Sequence, residues 1–167
     1  MSDIVDWTDW ERRLADLWGT LGTIDNGAFI ARIDALAAEL PDNHAIGLFE
    51  RASTQDSTGH EAEAEPLYRQ ALASGLSGIR RRRATIQLAS TLRNLGRPED
   101  GVALLEAERA MPSDELDDAV NAFLALCLVD VGRTKEATGL ALASLSRHLP
   151  RYNRSLKRYA ETMAAEV

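Results

Sequence analysis

The sequence predicts an all-α fold in which antiparallel helix pairs stack side by side, and three observations lead to this prediction. A glycine recurs at Gly59, Gly96 and Gly132, at intervals of 37 and 36 residues. A small residue lies seven positions before each glycine and another lies five positions after it. The apolar residues between them recur at helical spacing. Because one hairpin cannot cover its apolar face alone, its copies should stack.

The small residues indicate how the paired helices pack. They are Ala52, Ala89 and Ala125 before the glycines and Ala64, Gly101 and Ala137 after them, with Tyr68, Leu105 and Ala141 four positions further on. Small residues at matched positions let two helix backbones approach closely. Glycine permits the positive φ that ends the first helix of a pair. We therefore expect each repeated glycine at the corner between two paired helices.

These residues resemble the tetratricopeptide repeat over about residues 45–150. The strings DSTGHEAEAEPLYRQALASGL, RRRATIQLASTLRNLGR and LALCLVDVGR, followed by HLPRYNRSLKRYA, resemble the bacterial tetratricopeptide repeat group 5 family. The resemblance implies a right-handed superhelix of antiparallel helix pairs, a tetratricopeptide-like α-solenoid with N- and C-terminal capping helices. It also implies protein binding. Glu108 departs from the pattern, which has alanine there, and Pro66 is tolerated only if its helix begins near Glu63.

A chain of 167 residues is expected to form a single helical repeat domain. We assign N-terminal capping helices to 1–44, repeat hairpins to 45–78, 81–112 and 113–149, and a C-terminal helix to 150–167. Nine helices are predicted, near 3–19, 28–40, 45–57, 61–74, 81–94, 98–111, 113–131 and 134–148, and after Pro150.

Turn and capping residues set these boundaries. Glycines in 19–22 break the first helix, Pro41 stops the second, and glycines in 75–78 end the first repeat hairpin. Pro98 occupies a favoured first-turn position, and Ser113, followed by two acids, is a good helix start.

The composition narrows the classes of function. The net charge is −7, of which residues 1–79 carry −9 and residues 80–167 carry +2. The acidic total argues against nucleic-acid binding, which needs a basic surface. No apolar run approaches the roughly 20 residues that span a bilayer, and the acidic start does not resemble a secretion signal. The single Cys127 indicates a buried thiol. We therefore expect a cytoplasmic protein, and no cofactor is predicted.

All three tryptophans lie in the predicted first helix. Its apolar residues at helical spacing are Ile4, Trp7, Trp10, Leu14, Leu17 and Trp18. One interpretation is that they cover the open end of the stack, since a terminal repeat needs a cap. The other is a surface for a partner or for self-association into a homo-oligomer, because tryptophan is enriched at binding hot spots.

The first helix of each repeat hairpin is expected to line a concave groove. The groove positions are Phe49, Ser53, Asp56 and Ser57 in the first hairpin, Arg83, Gln87 or Ser90, and Arg93 with Asn94 in the second, and Ala119, Ala122, Leu126 and Asp130 in the third. We therefore predict a groove that is polar and basic at its centre.

The run of four arginines at 80–83 needs an acidic partner, because positive charge at a helix N-terminus opposes the helix dipole. The partner is either internal, such as the glutamates at 61–65, or a carboxylate from a ligand. Residues on a helix turn by about 100° each, so the four cannot serve one site. We interpret Arg80 and Arg81 as solvated or internally paired. For Arg83, an internal role and the binding of a ligand both stay open.

A second basic cluster lies near the C-terminus. Arg151, Arg154 and Arg158 have the spacing of one helix face. If that helix folds back on the concave side, they would join Arg83 and Arg93 in one basic pocket, where arginine's planar fork suits carboxylate or phosphate. Otherwise they belong to a solvated cap.

No catalytic set is evident. His44, His60 and His148 are scattered without metal-ligand spacing. We predict a non-catalytic scaffold that binds a peptide, or an acidic, carboxylate-bearing segment of a protein, in the arginine-containing groove. The alternatives are self-association through the tryptophan-bearing helices and a small-anion-binding protein or enzyme that uses the same basic pocket.

Overall fold

The computed structural model describes residues 5–165, and within that range the chain forms α-helices and no strand. The helices are α1 Trp7–Trp18, α2 Asn26–Ala37, α3 Ala45–Ser57, α4 Glu61–Ala73, α5 Gly78–Asn94, α6 Pro98–Arg109, α7 Asp117–Asp130, α8 Thr134–Ser146 and α9 Asn153–Ala165. Ile4, which the prediction places in the first helix, lies outside the described residues.

The chain divides into two compact units, one up to Ala84 and one from Thr85 onward, so the division falls inside α5. In the first unit α2 packs on α1 and on α3, and α3 packs on α4. In the second unit α6 packs on α7, α7 on α8, and α8 on α9. Consecutive helices thus pack on one another within each unit, which confirms the predicted all-α fold of stacked helix pairs. The single repeat domain stays a prediction.

The three repeated glycines lie at the corners between paired helices, as predicted. Their φ angles are +83° at Gly59, +78° at Gly96 and +82° at Gly132. Each corner has a backbone hydrogen bond that spans five residues, from His60 N to Gln55 O (2.9 Å), from Arg97 N to Leu92 O (2.9 Å) and from Arg133 N to Leu128 O (2.8 Å). Each glycine N–H also donates to the carbonyl three residues earlier. Both bonds define the Schellman motif, so the three corners share one structure.

The small residues of the repeat pack inside the helix pairs. Exposed fractions are 0% for Ala52, Ala64 and Ala89, 8% for Ala125 and 2% for Ala137. A Cβ atom at Gly101 would lie 2.8 Å from Cys127 Sγ and 3.1 Å from the carbonyl oxygen of Ala89, so glycine allows close packing there. The prediction is wrong at Ala141, which is exposed, because Leu140 takes the buried position.

The N-terminal helix is held by two of its three tryptophans. Trp10 is fully buried and donates from Nε1 to the carbonyl oxygen of Leu36 at 3.0 Å. Trp18 packs edge-on against Phe29, with ring centroids 5.3 Å apart. Trp7 is 42% exposed. Two tryptophans therefore pack in the core of the first unit.

Three helix starts differ from the prediction. α7 begins at Asp117 and not at Ser113, because Asp114 accepts a hydrogen bond from Leu116 N at 2.7 Å in a local turn that competes with helix. α5 begins at Gly78, directly after the break, and not at residue 81. α9 begins only at Asn153, since the preceding residue has a φ of +68°.

Two departures from the repeat pattern are accommodated inside helices. α4 begins at Glu61 and continues through Pro66, which supplies no N–H to the carbonyl of Ala62. Ala62 is exposed, so water can satisfy that carbonyl. Glu108 stands in a buried position, 3% exposed, whereas its neighbour Ala107 is exposed.

Candidate functional site

The four consecutive arginines of α5 have different environments. Arg80 Nη1 and Nη2 donate to the two carboxylate oxygens of Glu11 at 2.9 and 2.7 Å. Its Nε donates to Glu50 Oε1 at 3.2 Å. Arg80 therefore links the first turn of α5 to α1 and α3. Arg80 therefore has internal acidic partners, as predicted, but they are Glu11 and Glu50 and not the glutamates at 61–65.

Glu50 is the buried centre of this cluster. It is 2% exposed and also accepts a hydrogen bond from Trp18 Nε1 at 2.9 Å. Burial raises the pKa of the Glu50 carboxyl above its ordinary value, although the Trp18 bond and the charge of Arg80 act in the opposite direction. A buried carboxylate of this kind needs its cation, so Arg80 is structural.

Arg83 is the arginine of the run that faces outward. Arg82 is buried, with 3% exposed, and Arg81 is half-buried, whereas Arg83 is exposed. The guanidinium carbon of Arg83 lies 5.2 Å from the centroid of the Phe49 ring. Arg83 forms no ion pair within residues 5–165, although its positive charge acts on the buried Glu50 and favours the ionised form of that carboxyl. Arg83 is thus supported by an aromatic face while its donors remain available.

The predicted groove positions on α3 belong mostly to the core. Phe49 and Ser53 have exposed fractions of 0% and 1%, so the prediction that they line a groove is wrong. Asp56 is half-buried and accepts a hydrogen bond from the Tyr68 hydroxyl at 3.2 Å. Burial and the nearby Asp56 charge raise the pKa of Tyr68. Of the four predicted positions on α3, only Ser57 is exposed.

The predicted site residues in the second half of α5 are accessible to different degrees. Gln87 and Ser90 are half-buried, and Asn94 is exposed. Arg93 forms an ion pair with Asp130 of α7, with Nε 2.6 Å from Oδ2. Asp130 therefore neutralises Arg93, and this arginine has less charge to offer a ligand than Arg83.

The exposed face of α7 is apolar, and whether it lines a groove stays a prediction. Leu126 is 44% exposed, Ala122 is exposed and Ala119 is half-buried. Val129, 48% exposed, extends the same face. Val129 was not among the predicted positions, although its place three residues after Leu126 gives it the helical spacing of that face.

The three C-terminal arginines do not share one helix face. Arg151 precedes α9, so the prediction that it lies on a face with Arg154 and Arg158 is wrong. All three are exposed. Arg158 lies over the neighbouring Tyr159 ring, 5.1 Å from its centroid. The helix on which α9 packs is α8, the second helix of its hairpin.

The side chains that could take part in catalysis or bind a metal ion are dispersed. His148 pairs with Asp118 at 2.8 Å, and His60 contacts the Thr58 hydroxyl at 3.0 Å. Burial raises the pKa of the Cys127 thiol, which disfavours the reactive thiolate. Within residues 5–165, no three His, Cys, Asp or Glu side chains are grouped as a metal site requires. No helix in that range is both long and apolar enough to cross a bilayer.

The repeated corners, buried small residues and consecutive helix packing define a helical-repeat protein of the hairpin type. A family model described as "Tetratrico peptide repeat" matches residues 45–163. The chain therefore belongs to the tetratricopeptide repeat family, whose members generally mediate protein–protein interactions and are generally non-catalytic. Comparison with curated proteins and with solved structures gives no match.

Proposed function

We propose that this chain is a non-catalytic, cytoplasmic interaction scaffold that binds a peptide, or a carboxylate-bearing segment of a partner protein, at Arg83 and along the outward positions of α5. The observation that carries the proposal is the state of Arg83, which is exposed and forms no ion pair within the described residues, so that the buried Glu50 feels its charge only at longer range. A guanidinium held over an aromatic ring can offer its fork to an acceptor.

Other positions extend the proposed surface. Arg83, Gln87, Ser90 and Asn94 follow one another at four-, three- and four-residue intervals on α5, which places them on one side of the helix. None of the four is buried.

A library of random octapeptides tests this proposal, with half of the peptides carrying a free C-terminal carboxylate and half an amide. The immobilised protein should enrich acidic or free-carboxylate peptides. Arg83→Ala should reduce their retention about tenfold, which corresponds to one charge-assisted hydrogen-bonded pair. Arg32→Ala is the matched control, since Arg32 is also exposed and forms no ion pair within the described residues. Equal retention by both variants would reject Arg83 as the recognition residue.

Self-association through the N-terminal helices is the second candidate, and the exposed ring of Trp7 favours it. That ring packs against Trp10 and His44, with centroid distances of 5.7 and 5.5 Å, while the residue stays 42% exposed. Sedimentation of the wild type and of Trp7→Ala over a hundredfold range of concentration separates the two roles. A mass that rises with concentration only in the wild type supports self-association. A monomeric mass for both proteins leaves capping as the role of this helix.

A further inference from the structure

A cavity of about 320 Å³ lies in the second unit between α8 and α9. Arg109 of α6 and Asn121 of α7 also line it. Its size falls in the lower part of the range for small-molecule sites, which are typically apolar with a few convergent polar groups. The walls of this cavity have that composition.

The apolar wall is formed at a close contact between α8 and α9. It consists of Gly139, Leu140, Ala143, Ala160 and Ala164. A Cβ atom on Gly139 would lie 2.5 Å from the carbonyl oxygen of Ala160 and 2.9 Å from Ala164 Cβ. Because glycine alone permits this approach, the two helices form a fixed wall of small and aliphatic groups.

The polar lining of the cavity includes a hydrogen-bonded pair. Asn121 Nδ2 donates to Ser144 Oγ at 3.1 Å. Ser144 is only 7% exposed, and within residues 5–165 no group accepts the proton of its hydroxyl. A buried hydroxyl that accepts but does not donate is an unfilled donor, and this one lies in the wall of the cavity.

Cations outnumber acids around the cavity. Arg109, Arg147 and Lys157 line it, and Glu161 is the one acid among its lining residues. Arg147 is paired with Asp118 outside the cavity at 3.0 Å, and Lys157 lies 3.7 Å from Glu161. Arg109 has no ion pair within the described residues. One positive charge is therefore left over, which matches a singly charged anion.

We propose that this cavity binds a carboxylate attached to a short aliphatic group. The aliphatic group would pack on Leu140, Ala143 and Ala160, while the carboxylate would accept hydrogen bonds from Arg109 and Ser144. Inorganic phosphate fits less well, because it has no apolar part to cover this wall and its second charge has no partner. The ligand is either a free short-chain acid or the C-terminal residue of a peptide. The proposal does not depend on the binding role proposed for Arg83.

Titration of the ¹⁵N-labelled full chain, followed by amide chemical shifts, tests the site. The probes are 4-methylpentanoate for a free acid, N-acetylleucine for a peptide C-terminus, and N-acetylleucinamide as the uncharged control. For ligands of this size we expect dissociation constants of about 1 mM. The shifts should concentrate in residues 139–147 and 157–164. Binding of both acids supports the shared chemistry, and binding of one of them identifies the source.

Variants separate a built site from unspecific binding. Arg109→Gln should weaken binding of the acids about tenfold, the usual effect of losing one charge-assisted hydrogen bond. Lys157→Gln should have a smaller effect, because Glu161 already offsets that charge. Arg32→Gln, in the first unit, should bind like the wild type. The proposal is overturned if neither acid shifts these residues at 50-fold above the expected dissociation constant (about 50 mM), or if the amide binds as tightly as the acids.

Discussion

The two arginine-rich segments of this chain place their charge in opposite environments. In the first turn of α5, Arg80 is enclosed by Glu11 and Glu50 and holds three helices of the first unit together. In the C-terminal segment, Arg154 and Arg158 are exposed, and neither has an ion pair within the described residues. A cluster of arginines in the sequence therefore does not reveal whether those arginines are structural. That depends on whether the fold buries the side chain and brings a carboxylate from elsewhere in the chain next to it.

The largest effect expected from this contrast is the loss of the buried cation. Arg80→Ala leaves Glu50, 2% exposed, without its ion-pair partner. It should lower the free energy of unfolding by about 3 kcal/mol, the cost of an unpaired buried charge. Urea unfolding measures this value.

Arg12→Ala is the matched control for Arg80→Ala. Arg12 also bonds two carboxylates, Asp9 and Asp16, but its side chain is 63% exposed. Its removal should lower the free energy of unfolding much less than removal of Arg80 does, because solvent screens an exposed ion pair. Similar losses from both variants would show that burial does not distinguish the two arginines.

The second largest effect concerns the attachment of α9, which depends on close packing and not on its arginines. Gly139→Ala forces a Cβ atom to within 2.5 Å of a backbone oxygen of α9. We expect a loss of about 2 kcal/mol from this overpacking, measured by urea unfolding. Ala141→Ser, on the exposed side of the same helix, should change the stability by less than about 0.5 kcal/mol. A Gly139→Ala protein more stable than the wild type would mean that helix propensity outweighs the contact.

A third effect is the pH dependence of the Arg80→Ala variant. Burial already holds the pKa of Glu50 above its ordinary value of 4.5, and removal of Arg80 should raise it further. The folded state then binds more protons than the unfolded state, so stability falls as pH rises through the folded-state pKa. The deficit of Arg80→Ala relative to the wild type should therefore shrink by about 1 kcal/mol between pH 7 and pH 5. A deficit that is constant over this interval would exclude Glu50 as its cause.

The smallest effect is expected at the exposed arginines. The double variant Arg154→Ala, Arg158→Ala should retain the unfolding free energy of the wild type to within about 0.5 kcal/mol. A loss above about 1 kcal/mol would show that α9 uses these side chains for its own packing.

Local chemistry explains why the corners and most helices could be predicted from the sequence. Gly59, Gly96 and Gly132 adopt positive φ because only glycine does so without strain, and this property needs no knowledge of the rest of the chain. The start of α7 was missed for a local reason as well, because Asp114 forms a turn that a serine cap signal does not reveal.

The partners of the arginines could not be predicted, since they are fixed by tertiary packing. Arg80 reaches Glu11 across 69 residues of sequence and Glu50 across 30. The glutamates at 61–65 were closer in sequence, yet Glu65 bonds Arg69 within its own helix. The ion pair between Arg93 and Asp130, which are 37 residues apart, could not be predicted for the same reason.

The most direct test of this account compares Arg80→Ala with Arg83→Ala in the retention of acidic octapeptides, expressed per folded molecule. The account predicts that Arg83→Ala loses about tenfold in retention while its stability falls by less than about 1 kcal/mol, the value of an exposed cation–π contact. Arg80→Ala should keep its retention to within about twofold once the folded fraction is corrected. Wild-type retention by Arg83→Ala would contradict the assignment of Arg83 to recognition and Arg80 to structure.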